Sequence, residues 1–126
     1  MIVLDASALL LILLGTARLP SDVESPLCAP SLIDVEVASA LRRLERAGRI
    51  DASRAVDLVD ALARSPIDRF PHEPILRRAW QWRHDVSAYD AIYVALAEAL
   101  GATLWTADRR LARRVEDHVT VQPLGA

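Results

Sequence analysis

Five carboxylates stand at positions where a chain either avoids charge or uses it. Asp5 follows three large apolar residues in "MIVLDASALL". Asp34 and Glu36 lie in "SLIDVEV", Asp90 in "SAYDAIYV" and Asp108 in "LWTADRRL". Leaving an ionised carboxylate in a dry interior costs several kcal/mol, roughly, unless it is paired or holds a cation. Asp5 should therefore end a strand at a surface edge, bind something, or both. The other acids have ordinary uses open to them. "SAYD" and "SLID" both match a helix capping box, with Ser87 and Ser31 as caps, and Asp108 is a good N-cap. Glu36 could simply be solvated on the flank of its helix, and Asp5 could cap the helix that follows it. Independent caps need not fall together in space, so the elements that carry these acids decide between the readings.

Residues 2–5 read as a short buried strand and 6–14 as a helix ended near Gly15. A second strand is expected at 27–30. Ser31 is expected to cap a long helix over 32–47, with Gly48 as its stop and Ile33, Val37, Ala40, Leu41 and Leu44 as its apolar stripe. Asp51 caps a further helix to about Arg64. A third strand falls at 67–70, a helix at 73–83, and a helix capped by Ser87 at 88–100. Strands at 103–106 and 119–121 flank a short helix from Asp108 to about Arg114. Short apolar strands alternating with amphipathic helices indicate an α/β domain with a mainly parallel sheet of roughly five strands. Ligands of such sheets bind beyond the carboxyl ends of the strands. Asp5 and Asp108 follow strands one and four, and Asp34 and Glu36 begin the helix after strand two. Asp90 joins them if strand four runs parallel to the rest. Carboxylates gathered on one edge repel one another and raise each other's pKa, and a divalent cation would resolve the conflict.

Composition narrows the alternatives. The chain has 126 residues, 52% hydrophobic and 25% charged, which fits one compact domain over residues 1–126. Its net charge of −2 is not that of a protein gripping nucleic acid by bulk electrostatics. All 15 basic residues are arginine. Without lysine, a phosphorylated receiver or an aspartyl phosphatase is disfavoured, and the phosphatase would also want an aspartate where Ser7 stands. No P-loop or G-x-S-x-G occurs. His72, His84 and His118 are too widely spaced for a zinc motif. A single cysteine, Cys28, allows no intrachain disulfide and suits a reducing, cytoplasmic setting. The run "LLLILL" at 9–14 is too short to span a bilayer, so no membrane association is expected. It reads as a helix buried on two faces, one of them expected to meet a second copy of the chain or another partner. Of Trp80 and Trp82, two apart on one helix, one should be core and the other near the surface.

The blocks "MIVLDASALL", "IDVEVASALRRL" and "SAYDAIYVALAEALGATLWTADRRL" resemble, in order and spacing, those of PIN-domain ribonucleases. Among these they look most like the toxin of VapBC-type toxin–antitoxin pairs. The resemblance implies a three-layer α/β/α domain with a parallel sheet. It implies that Asp5, Glu36, Asp90 and Asp108 bind Mg²⁺ or Mn²⁺, with Thr106 and Ser7 supporting the site. It further implies cleavage of RNA phosphodiester bonds, a cognate antitoxin protein and a homodimer. Hard oxygen ligands suit Mg²⁺, and such metals supply an activated water and charge relief without a side-chain nucleophile. Two arginine sets, at 42, 43, 46 and 49 and at 109, 110, 113 and 114, are candidates for phosphate contact. The rival reading is a PIN-like module that binds RNA or protein without cutting.

Overall fold

The computed structural model describes residues 1–19 and 25–125. Five strands form one sheet: β1 (Ile2–Leu4), β2 (Leu27–Pro30), β3 (Asp68–Phe70), β4 (Thr103–Thr106) and β5 (Val121–Pro123). Their spatial order is β3-β2-β1-β4-β5 and every pairing is parallel. The register sets Ile2 opposite Leu27, Leu4 opposite Trp105, and Leu104 opposite Val121. The helices are α1 (Ala6–Leu13), α2 (Leu32–Arg46), α3 (Ala52–Arg64), α4 (Leu76–Gln81), α5 (Ala88–Leu100) and α6 (Arg109–Val115). Helices α1, α2 and α3 pack on one another over one face of the sheet. Helix α5 lies against β1, β2 and β4, with α4 stacked on α5 rather than on the strands. Right-handed crossovers put the two groups on opposite faces, giving three layers.

The core follows from the pattern of apolar residues. Val3, Leu4, Cys28, Ala29 and Leu104 of the strands are buried between the layers. Ile33, Val37 and Leu41 of α2 are covered on one side, and α5 is buried from Ala91 to Ala97 on the other. Helix α5 ends on Gly101, whose φ of 60° is a left-handed conformation that a side chain would oppose. Among the described residues no helix is long and apolar enough to cross a membrane.

Three local expectations need correction. Ser31 makes no side-chain cap; its backbone is already helical. The ring of His72 takes the cap's place, its Nε2 accepting from the Leu32 N–H at 3.1 Å. The Ser31 hydroxyl instead donates to the Phe70 carbonyl. The helix expected at 73–83 is a 3₁₀ turn at Glu73–Ile75, containing Pro74, followed by the six-residue α4. The last strand falls at 121–123 rather than 119–121, because Val119 is buried in the turn that closes α6. The "LLLILL" segment packs on the core and keeps part of its surface open: Leu9 is buried, and Leu10 to Leu14 are half-buried. The large apolar side chains left in water lie elsewhere, among them Leu76, Trp80 and Tyr89 on α4 and α5, and Val35, Val56 and Val59 on α2 and α3. Trp82 is the buried tryptophan of its pair.

Candidate active site

In this sheet the chain winds outward from β1 in one direction and from β4 in the other. The crevice at such a reversal is where open α/β sheets bind ligands. Asp5 stands at it, and its N–H donates to the Trp105 carbonyl at 3.1 Å, joining the two strand ends. Its side chain is 5% exposed. Oδ1 accepts from the Ser7 hydroxyl at 2.6 Å and from the Ala8 N–H at 2.9 Å; Oδ2 accepts from the Thr106 hydroxyl. Asp5 thus caps α1 and ends β1 at once. A carboxylate has about four acceptor positions, so three donors leave one free.

The two hydroxyls do double duty. Ser7 Oγ accepts from the Ala107 N–H at 2.9 Å, and Thr106 Oγ1 accepts from the Asp108 N–H at 3.0 Å. Through them Asp5 is tied to the turn between β4 and α6. Burial pushes the Asp5 carboxyl above the ordinary carboxylate range, against the pull of Ser7, Thr106 and Ala8, and the neighbouring Asp90 adds to the rise.

Asp90 lies in the first turn of α5, its N–H donating to the Ser87 cap at 3.1 Å. Because β4 is parallel to β1, α5 starts on the same edge as Asp5. Burial raises the Asp90 pKa and Asp108 raises it further, while Ser87 and Arg114 pull it down. Glu36, one turn into α2, is half-buried, and burial and Asp90 raise it while Tyr93 lowers it. Asp90 is thus the member that Asp5, Glu36 and Asp108 share. Asp108 caps α6 with Oδ1 alone, which accepts from Arg110 N at 3.0 Å and Leu111 N at 3.1 Å, leaving Oδ2 outside the cap.

The fifth acid of the expected cluster does not join it. Asp34 is gripped from β3 by Arg69, whose Nε and Nη2 reach its two oxygens at 2.8 and 2.9 Å. A bidentate ion pair, not a capping box, is its role. The arginine sets separate as well. Arg110 and Arg114 line a cleft of about 270 Å³ with Ser87, Asp90 and Asp108. Arg42 faces a groove between α2 and α3 instead.

The PIN domain family profile matches residues 2–117. VapC ribonuclease Mb0985 of Mycobacterium bovis is 46% identical over 114 residues, covering 89% of each chain. Ribonuclease VapC3 of Mycobacterium tuberculosis is 38% identical over 117 residues, with 89% of this chain and 85% of that one aligned. The chain belongs to the PIN-domain family, in its VapC branch. The crystal structure of PAE2754 from Pyrobaculum aerophilum superposes with a TM-score of 0.70 at 27% identity, over 95% of this chain and 81% of that one.

This VapC-type domain offers a donor set of carboxylate oxygens, the chemistry a hard divalent cation requires. One of those oxygens, Glu36 Oε1, is buried without a hydrogen-bond partner. Among the described residues, no three acidic, histidine or cysteine side chains already close on a single point. Asp5 is drawn inward by its hydroxyls and Asp108 toward its own helix, so the acids meet as pairs around Asp90. Residue patterns alone had not singled out Tyr93, nor the capping role of His72, whereas Arg110 and Arg114 come from the second of the two arginine sets. The first had a signal: it lies three residues after Asp90, hence on the same helix face.

Proposed function

We propose that this VapC-type PIN domain is a Mg²⁺- or Mn²⁺-dependent endoribonuclease and the toxin of a toxin–antitoxin pair. The observation that carries the reading is the burial of Asp5, Glu36 and Asp90 at the β1–β4 crevice, where lost solvation first and neighbouring acid charge second raise all three. A fold does not gather such groups for stability; a cation shared among them turns repulsion into binding. The close relatives bearing the name ribonuclease support the same conclusion.

Asp5, Glu36, Asp90 and Asp108 would hold the cation. Bound there, it supplies an activated water and charge relief on the scissile phosphate. Asp5 is the fixed member, since Ser7, Thr106 and the Ala8 N–H leave its carboxylate little freedom. Asp90 links the others electrostatically. Arg110 and Arg114 line the open side of the cleft and are suited to hold the flanking phosphates of a single-stranded or looped RNA. No side-chain nucleophile is needed.

An enzyme of this kind requires a protein that silences it. A cognate antitoxin could set an arginine among the carboxylates, which accept it bidentately. A homodimer would draw on the exposed Leu76, Trp80 and Tyr89 or on the half-buried "LLLILL" segment. The test is incubation of purified protein with total RNA, with Mn²⁺ or with EDTA, and mapping of the ends. Cleavage that EDTA abolishes and Mn²⁺ restores is expected. Intact RNA in both arms, from folded protein that binds Mn²⁺, would favour the non-cutting module.

A further inference from the structure

Two buried side-chain polar atoms lack a hydrogen-bond partner among the described residues: Glu36 Oε1 and Tyr93 Oη. They belong to helices on opposite faces of the sheet, α2 and α5, and they are neighbours. The Tyr93 hydroxyl lies within reach of the Glu36 carboxyl, although no hydrogen bond of sound geometry joins them. Tyr93 is 1% exposed, so its ring is fixed in the core while its hydroxyl is aimed at the acids. A phenol is protonated at neutral pH, so Tyr93 is a donor with Glu36, Asp5 and Asp90 as its charged neighbours.

An unpaired buried hydroxyl gives up hydration that no partner returns, and a phenylalanine would fill the same space without that cost. The hydroxyl is therefore not explained by packing. Glu36 has a flexible side chain, and a small rotation of it pairs the two orphan atoms. We infer that Tyr93 is a positioning residue, whose hydroxyl holds one oxygen of Glu36 so that the other faces the cation shared with Asp90. This rests on the acidic-site reading above. The placement suits the task, because Tyr93 and Asp90 are one turn apart on α5, and fixing Glu36 to the first registers it against the second.

The experiment uses the full chain and Mn²⁺ as probe, with Tyr93→Phe, Glu36→Gln and the double variant. Metal-free melting temperature, Mn²⁺ affinity by calorimetry and steady-state cleavage are measured on each. Tyr93→Phe is expected to melt no lower than wild type without metal. Its Mn²⁺ affinity should fall roughly tenfold, the scale of lost support to a metal ligand. Cleavage should lose kcat with little change in KM, and in the Glu36→Gln background the tyrosine substitution should add nothing. Wild-type Mn²⁺ affinity in Tyr93→Phe, or an equal loss with and without Glu36, would overturn the inference while leaving the acidic site intact. Failure of wild-type protein to bind Mn²⁺ would overturn the site itself. A measurement independent of that variant's folding is the tyrosine Raman doublet of Tyr89→Phe protein, where Tyr93 is the sole tyrosine. Mn²⁺ should shift it toward a strong donor, and an unchanged doublet would again refute the role.

Discussion

Asp5 holds three hydrogen bonds and still sits above the ordinary carboxylate range, so solvation lost on burial outweighs what its partners return. Asparagine in its place keeps an acceptor for Ser7 and Ala8, and Asn caps helices about as well as Asp. We expect Asp5→Asn and Asp90→Asn to lose cleavage yet melt, in EDTA, no lower than wild type. Unfolding of both, read by thermal denaturation, would make the acids structural. The pair on α2 should behave differently. Glu36→Gln should sharply reduce cleavage with little change in melting temperature. Asp34→Ala should cost about 1 kcal/mol through loss of the bidentate Arg69 contact, with cleavage intact. Asp34 shows what a local pattern cannot carry. "SLID" fits a capping box, but the partner that claims the carboxylate is 35 residues away on another strand.

At the scale of elements, α2 matters most, since it delivers Glu36. Its first N–H is met by the His72 ring, brought there by the chain leaving β3. Replacing His72 by Leu should cost about 1 kcal/mol, the usual worth of a cap. Ser31→Ala should cost less, since its exposed hydroxyl only reaches the Phe70 carbonyl. Equal losses in urea titrations of the two would return the cap to the serine. Periodicity located every helix and strand, because apolar spacing is a local signal. It misplaced β5 by two residues and merged the 3₁₀ turn with α4, where the outcome depends on which residue reaches the core first. It assigned one face of α1 to a partner; α2 and α3 pack on that helix and leave Leu10 to Leu14 half-buried.

Across the whole molecule, parallel pairing of β4 with β1 was the condition on which the edge-cluster reading rested, and it holds. Hydrophobic alternation could suggest it but not the strand order, since two helices intervene between β3 and β4. The acids so gathered set the pH response. Asp5, Glu36 and Asp90 are raised in the fold. Between the ordinary carboxylate pKa of about 4 and the raised values, the folded chain keeps protons the unfolded chain has released. Stability of the metal-free protein should therefore be fullest below that range and fall as pH rises through the raised values. Glu98, which burial pushes up but Arg78 and Trp82 hold down on balance, acts oppositely and only at lower pH. Scanning calorimetry in EDTA at pH values rising from the ordinary carboxylate pKa of about 4 should show a decline in melting temperature. Asp90→Asn should flatten it, and Mg²⁺ should reverse it.

Thr106 reaches Asp5 across 101 residues of chain. That span has a consequence for how such a protein is made. A growing polypeptide that has passed Arg83 already carries Asp5 and Glu36, but neither Asp90 nor the strand that holds Asp5 in place. The acidic set stays incomplete, and Asp5 lacks the Thr106 hydroxyl, until α5 and β4 follow late in synthesis. With the proposed activity, the ribosome building the chain would be spared a cutting fragment. A chain stopped after Arg83 should neither fold cooperatively nor arrest growth when expressed alone, whereas the full chain should do both.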